Sequence, residues 1–316
     1  MKTSFNKTNG AGLMFHHFHK NGGTHDYQGS ISESQFREIL FSINQKNLLS
    51  AEEWLRKAKE NKLKSSDLCI TLDDGLLSQY DICLPILAEF GISAFWFIYS
   101  APLQGEFPRL DIYRRFRTKY FSCLDEYLNA FLNNTKLKKE EITVSDDFRK
   151  YKLDYQNKFP FYTRDDIILR YVRDKVLLEE EYIKANDKLI SDYSLTIQEL
   201  AADLWITNGH LEQLIRAGQQ VGLHSYSHPI PLANLSISEQ AKEYDKNMKH
   251  LKQFVKAPIT SMSHPADSYS KEGLELLEDM GIICGFRSNL SNPRFKSKLS
   301  YMQIPRYDSI NLVDNQ

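Results

Sequence analysis

The sequence predicts an α/β fold of parallel strand–helix–strand units, a barrel or an open sheet, interrupted by a long helical insertion. Three observations carry that expectation. Apolar, β-prone runs at Leu68–Leu72, Ile92–Tyr99 and Val221–Leu223 alternate with amphipathic helical stretches, the order that builds parallel sheets. The first and third of these runs end abruptly in polar clusters, Asp73-Asp74-Gly75 and His224-Ser225-Tyr226-Ser227-His228, and in parallel α/β folds the chemistry gathers at the carboxyl ends of the strands. Between the second and third runs, residues 105–203 are rich in Lys, Glu, Asp, Tyr and Leu with few Gly or Pro after Pro108, which reads as inserted helices.

Composition sets the outer limits. With 316 residues, 41% hydrophobic and 12% aromatic, the chain can form one large or two small globular domains around a sizeable core. A formal net charge of -1 supplies no basic field for nucleic acid or an anionic membrane, so neither is expected as a partner. The four cysteines, Cys69, Cys83, Cys123 and Cys284, are widely spaced, and reduced, mostly buried thiols are expected. Met1–Gly10 lacks the apolar core of a signal peptide and no run reaches the length of a membrane span, which predicts a cytoplasmic protein.

In chain order, Gly12–His19 is the first expected strand, ending in His16, His17 and His19, with His25 close behind. Ser32-Glu33-Ser34-Gln35 fits a capping box opening a helix with Phe36, Ile39, Leu40 and Ile43 at helical spacing. A second box, Ser50-Ala51-Glu52-Glu53, opens a helix carrying Trp54, Leu55 and Ala58, and the charge run from Lys57 to Lys64 is a solvated face. After Gly75, a helix over Leu84–Phe90 tolerates Pro85 in its first turn and closes at Gly91. Ile92–Tyr99 is apolar nearly throughout, hence a strand covered on both faces. Within the insertion, Tyr120–Leu132 and Asp165–Tyr182 read as helical runs. Thr207-Asn208 starts a helix that stops at Gly218 and contains His210 as a structural residue, and Ser236-Ile237-Ser238-Glu239 caps a long helix whose Tyr244, Met248, Leu251 and Val255 face the core. A helix over 271–280 and a strand over Ile282–Phe286 repeat the pattern, and Gln303-Ile304-Pro305-Arg306 ends the last strand.

Asp73 and Asp74 would repel each other unless a cation lay beside them, so one reads as a metal ligand and the other as a base. His224 and His228, four apart and followed by Pro229, sit on a loop at a strand end. Neutral imidazole is the commonest transition-metal ligand, and two of them with one carboxylate leave positions open for water and substrate.

Thr71-Leu72-Asp73-Asp74-Gly75 resembles the Thr-Phe-Asp-Asp-Gly motif, and His224–His228 the His-Ser/Thr-x-x-His motif, of the polysaccharide deacetylases with a NodB-homology domain, carbohydrate esterase family 4. The resemblance covers roughly residues 11–104 and 204–310. It implies a distorted (β/α) barrel of the NodB-homology type, formed by 1–104 and 204–316, with 105–203 as a helical insertion. It further implies that Asp73 is the catalytic base and that Asp74, His224 and His228 hold a divalent ion, zinc first, with cobalt, nickel, manganese and iron as the other candidates. Several relatives begin with a Leu-Met-Tyr-His segment on whose His His16 falls; no histidine follows His264, so the C-terminal Leu-x-His source of the general acid is absent and His16 takes that role. Thr260–Asp267 corresponds to a segment built on Arg-x-Pro-Tyr or Tyr-Pro-x-Gly, in which the backbone after the proline binds the oxyanion, here at Ala266. Ser263 and Asp267 depart from both versions, and His264 is expected to line the site or pack beside it. Arg306 resembles an Arg near the end of related chains and is expected to hold Asp73 ionised through a charge-assisted pair.

The activity this implies is metal-dependent removal of an N-acetyl or related acyl group from an amino sugar or polysaccharide. Other candidates are a binding-only homologue, favoured by the poor third motif, and an amidohydrolase acting on an N-formyl sugar or a cyclic ureide. A non-haem iron oxygenase would use the same two-histidine, one-carboxylate set but leaves the second acid unexplained. The insertion is expected to cover the barrel mouth, form an oligomer contact or decorate the periphery.

Overall fold

The computed structural model describes residues 10–22, 29–158, 162–299 and 301–313. His25 and the residues before Gly10 lie outside these. The chain divides into two compact units, one containing Gly29–Pro108 and the residues from Asp203 onward together with the N-terminal strand, the other Arg109–Ala202.

In the first unit, strands β1 (Ala11–Phe15), β4 (Leu68–Asp73), β5 (Phe95–Ile98), β6 (Gln220–Leu223), β7 (Ser261–Ser263), β8 (Cys284–Phe286) and β9 (Arg306–Asp308) form one sheet in the order β8-β7-β6-β5-β4-β1-β9. Every pairing is parallel. The two-residue strands β2 (Phe18–His19) and β3 (Ile31–Ser32) pair separately. Phe286 bridges in parallel to Ile304, and the Ile304 amide donates to the Gly285 carbonyl while the Arg287 amide donates to that of Ile304. The segment leading into β9 thus brings the two sheet edges together, and the unit is a distorted (β/α) barrel. Among the described residues no helix is long and apolar enough to cross a membrane.

Side chains alternate along a strand, and both faces here are apolar. On the inner face Cys69, Phe95, Phe97, Cys284 and Phe286 cluster with Trp54, Tyr301 and Ile304. Leu13, Ile70, Leu72, Trp96, Ile98, Leu223 and Met262 belong to the larger core that includes the surrounding helices. The period of two places Thr71 and Asp73 on the Cys69 side. Gly12 is required at this level, because a Cβ there would lie 2.9 Å from Arg306 Cγ and 3.2 Å from Thr71 Cγ2. Gly12→Ala is expected to lower stability by about 1–3 kcal/mol, the usual cost of overpacking. Urea unfolding of the two proteins measures it, and an unchanged midpoint would show that Arg306 has room to move aside.

Several boundaries differ from the sequence expectation for local reasons. The first strand stops at Phe15, and His16 and His17 turn the chain before β2. The Ser32 box forms in full, whereas at the second one Ser50 accepts from the Glu53 amide at 3.2 Å while the Glu53 carboxylate is taken up by Arg56. Arg306 opens β9 instead of ending it. Three cysteines are buried, and Cys123 is exposed.

The second unit consists of the helices Arg109–Tyr120, Leu124–Asn133, Lys139–Val144, Asp146–Lys158, Arg164–Tyr171, Glu179–Asp192 and Ile197–Ala201, with a π-helical turn at Val172–Val176. Tyr120–Leu132 is therefore two helices, parted where the Ser122 amide and hydroxyl turn back to Glu126 at 2.9 and 2.7 Å. Asp165–Tyr182 is likewise broken, because Leu177 and Leu178 are extended and the Leu178 amide donates to Glu181 at 2.9 Å. Phe116 sits edge-on to Phe121 and Tyr193, with ring centroids 5.4 Å apart in each case, in the core of this unit.

Candidate active site at the strand ends

Both acids and both histidines of the two motifs meet at the carboxyl ends of β4 and β6. Strand alternation would send Asp73 and Asp74 to opposite faces. Asp74 instead adopts φ 77°, in the left-handed region, followed by Gly75 at φ 64°. The chain turns so sharply that both carboxylates serve one site, and both are buried, at 2% and 3% exposure. A non-glycine residue held in that region is strained, and such strain is common where function fixes a side chain.

Asp74 Oδ1 lies 3.2 Å from His224 Nε2 and 3.6 Å from His228 Nε2. One ligand atom from each of the three residues falls within 4.8 Å of the others. Two donors each about 2.1 Å from a shared ion at a tetrahedral angle lie about 3.4 Å apart, and the 3.2 and 3.6 Å separations bracket that value. The imidazoles are also aimed. His224 Nδ1 is 2.8 Å from the Ser263 carbonyl, which can only accept, so Nδ1 carries the hydrogen and Nε2 faces Asp74. The donor set therefore fits a divalent ion. Burial raises the Asp74 carboxyl, yet the His224 hydrogen bond and the nearby His228 and His16 hold it well below the usual range. Burial lowers His224, yet the Asp73 and Asp74 charges push it up. Two buried carboxylates make this a place where positive charge is favoured.

Asp73 has a different surrounding. Its Oδ1 and Oδ2 accept from Arg306 Nη1 at 2.8 Å and Nη2 at 2.6 Å, a bidentate pair, and Oδ2 also accepts from Ser263 Oγ at 2.9 Å. Burial raises this carboxyl, but the Arg306 charge and the neighbouring His224 outweigh it and hold it at about 2. Arg306 starts at the level of Gly12 and reaches up past Thr71 Oγ1, at 3.1 Å, to the acid. His16, whose side chain is 32% exposed, places Nε2 at 3.8 Å from Asp73 Oδ2. Gln79, fully buried, donates from Nε2 to the carbonyls of His16 and Asp73 at 2.8 and 2.5 Å, joining the two residues through their backbones.

Ser263, which departs from the motif, is central here. Its hydroxyl contacts Asp73 and Arg306, and its carbonyl holds His224. An arginine at 263 and Arg306 would compete for one carboxylate, so a small residue suits this strand. Ala266 is exposed and left-handed at φ 48°; Asp267, which is buried, is left-handed too, at φ 56°. The turn is closed by the Asp267 and Ser268 amides on the His264 and Pro265 carbonyls, bonds that do not use the Ala266 amide. Asp267 anchors it by accepting from the Ser288 amide at 3.1 Å, from Asn289 Nδ2 at 2.8 Å and from Arg294. His264 packs beside the cluster: it is 1% exposed, donates Nε2 to the Met302 carbonyl at 2.9 Å, lies tilted against the Tyr269 ring, and burial lowers it to about 4. His210 caps its own helix, and His19 Nδ1 meets Ser30 Oγ at 2.9 Å.

Sequence reasoning missed the residues that hold the histidine loop. Ser225 and His228 have φ 61° and 56°, and this conformation is fixed from the helix Ile237–Leu251. Glu243 accepts from the Tyr226 and Ser227 amides at 3.0 and 2.8 Å, and Asn247 accepts from the His224 amide at 3.0 Å while donating to the Ile98 carbonyl at 2.9 Å. The available cue was Asn247 itself, a polar residue on the buried stripe with Tyr244 and Leu251.

A family model for polysaccharide deacetylases matches residues 181–284. No curated protein sequence matches the chain. Among solved structures, the Streptococcus pyogenes deacetylase PplD in complex with acetate is 13% identical, with 96% of this chain and 95% of that one covered and a TM-score of 0.54. The de-N-acetylase from Aggregatibacter actinomycetemcomitans is 11% identical, with 95% of each chain covered and a TM-score of 0.55. IcaB from Ammonifex degensii is 13% identical, with 94% and 90% covered and a TM-score of 0.51. These likenesses are of fold, and the fold is the NodB-homology barrel of the polysaccharide deacetylases.

Proposed function

We propose that the barrel site is a metal-dependent hydrolase that removes an N-acetyl group from an amino sugar within a saccharide. The observation that carries this reading is the gathering of Asp74, His224 and His228 within one coordination radius, beside a second acid, Asp73, that Arg306 keeps ionised. Asp74, His224 and His228 hold the divalent ion, with zinc the first candidate and cobalt, nickel, manganese and iron the others. When bound, the ion lowers the pKa of water and polarises the amide carbonyl.

The chain's own groups do the rest. Asp73 takes the proton of the attacking water, a role for which a carboxylate with no competing ligand duty is suited. His16, the half-exposed member of the cluster, delivers a proton to the departing amine. The Ala266 amide, held at the tip of its strained turn, donates to the oxygen that gains charge. Arg306 and Ser263 position Asp73, and Asn247 and Glu243 position the histidine loop. Arg306 also weighs against the binding-only alternative, since it supplies at Asp73 the guanidinium that the third motif lacks at Ser263. The similarity in fold to two deacetylases, one of them described with acetate, supports the same reading.

Acetate release from N-acetylglucosamine oligomers tests it. The zinc-loaded protein is expected to release acetate with a matching rise in free amine, and chelation is expected to abolish both until metal is restored. Glycan binding without amine release from the metal-loaded protein would favour the binding-only homologue, and formate release from an N-formyl sugar alone would move the assignment to another acyl group.

A further inference from the structure

The helical unit has a cavity of its own. Arg114 and Arg117 stand three apart on the helix Arg109–Tyr120. Arg170 and Arg173 repeat that spacing where the helix Arg164–Tyr171 runs into the π-helical turn Val172–Val176, a widened turn that is frequent at functional positions. These four arginines, with Tyr127 and Tyr182, line one small pocket, and no carboxylate is among its lining residues. Three acids orient the arginines from outside the lining: Asp111 meets Arg114 at 3.0 Å, Asp166 meets Arg170 at 3.2 Å and Asp174 meets Arg173 at 2.5 Å. The Tyr162 ring lies 3.7 Å from the Arg170 guanidinium and fixes its plane. Burial, with the charges of Arg114 and Arg170, holds Arg117 below its ordinary pKa. An anion in this pocket would meet side chains from both helical segments at once.

We propose that this cavity binds a phosphate-class oxyanion, a phosphomonoester or diphosphate group, on the guanidinium forks of Arg114, Arg117, Arg170 and Arg173. The planar fork of arginine matches phosphate bidentately, and a dianion offsets more of this charge than a carboxylate. The inference goes beyond the barrel's reading and does not depend on it.

Calorimetric titration of the full chain with inorganic phosphate and with pyrophosphate, against acetate at equal ionic strength, tests it. Saturable binding that acetate does not reproduce is expected. Arg117→Gln is expected to weaken it about tenfold or more, the loss of a charge-assisted hydrogen bond. Lys119→Gln, on the exposed side of the same helix, is expected to leave it within about twofold. If Arg117→Gln does not fold, Arg173→Gln, whose side chain is 26% exposed, is read in the same way. Absence of saturable binding overturns the proposal. So does equal weakening by Lys119→Gln, or binding that Asp74→Ala abolishes and Arg117→Gln leaves intact, because that anion would sit in the barrel. Cosedimentation with phosphatidylcholine vesicles containing phosphatidic acid separates the sources: vesicle binding that pyrophosphate competes away assigns a lipid headgroup, and pyrophosphate binding without it assigns a free phosphate compound.

Discussion

Asp73→Asn is expected to lower the rate of acetate release by about 10²- to 10⁴-fold, the usual worth of a general base, with the metal content of the protein unchanged. The two halves of that expectation come from different observations. Turnover is lost because asparagine cannot take a proton. The metal stays because Asp73 lies outside the three-residue cluster and engages Arg306 and Ser263 instead. The substitution is nearly isosteric, so the pocket keeps its shape. Activity on the oligomer substrate and metal per chain by elemental analysis are measured on the same preparation. Full activity would remove Asp73 from the role of base, and parallel loss of metal would make it a fourth ligand.

Arg306→Met is expected to lower the free energy of unfolding by about 3–5 kcal/mol, the cost of leaving one member of a buried ion pair unpaired. The side chains of Arg306 and Asp73 are 1% and 3% exposed, so solvent screens little of the charge. Methionine fills much of the volume but leaves Asp73 with a serine hydroxyl as its remaining strong donor. Asp73→Asn in the same protein should restore most of the stability, since the neutral amide has no charge to strand. Urea unfolding of the parent, both single variants and the double variant, all metal-free, closes the cycle. An Arg306→Met protein as stable as its parent would show that the pair adds nothing to the fold. Activity should fall as well, because a buried carboxylate without its cation is driven toward protonation.

The meeting of Asp74, His224 and His228, with Asp73 beside them, was legible because each motif combines chemistry-bearing residues with the strand that delivers them. Asp73-Asp74 and His224 follow directly on apolar runs, and that adjacency is a local signal. The parallel sheet was legible for the same reason, from runs buried on both faces, while its closure into a barrel came from the resemblance. What could not be read is mostly long-range. Arg306 sits at a strand start, far in sequence from the acid it serves, and only the resemblance singled it out. Ser263 looked like a defect because its value depends on Arg306 occupying the space beside it. Glu243 looks like one of many helix-surface acids, and its role exists only where the histidine loop passes over it. Helix ends at Tyr120 and Val176 were blurred because Ser122 and Leu178 are turned by side-chain hydrogen bonds that carry no compositional signature. The placement of His264 against Met302 was likewise invisible, since a histidine before a proline near a motif fits either outcome.

The bond between Asp73 and Arg306 joins residues 233 positions apart. During translation, the acid emerges from the ribosome long before the guanidinium that neutralises it, and β9, which carries that guanidinium, is the last of the seven sheet strands to be made. A polypeptide interrupted ahead of Arg306 carries both aspartates and both histidines but lacks the charge that holds Asp73 ready. The paired state of Asp73 is thereby coupled to completed synthesis of the barrel.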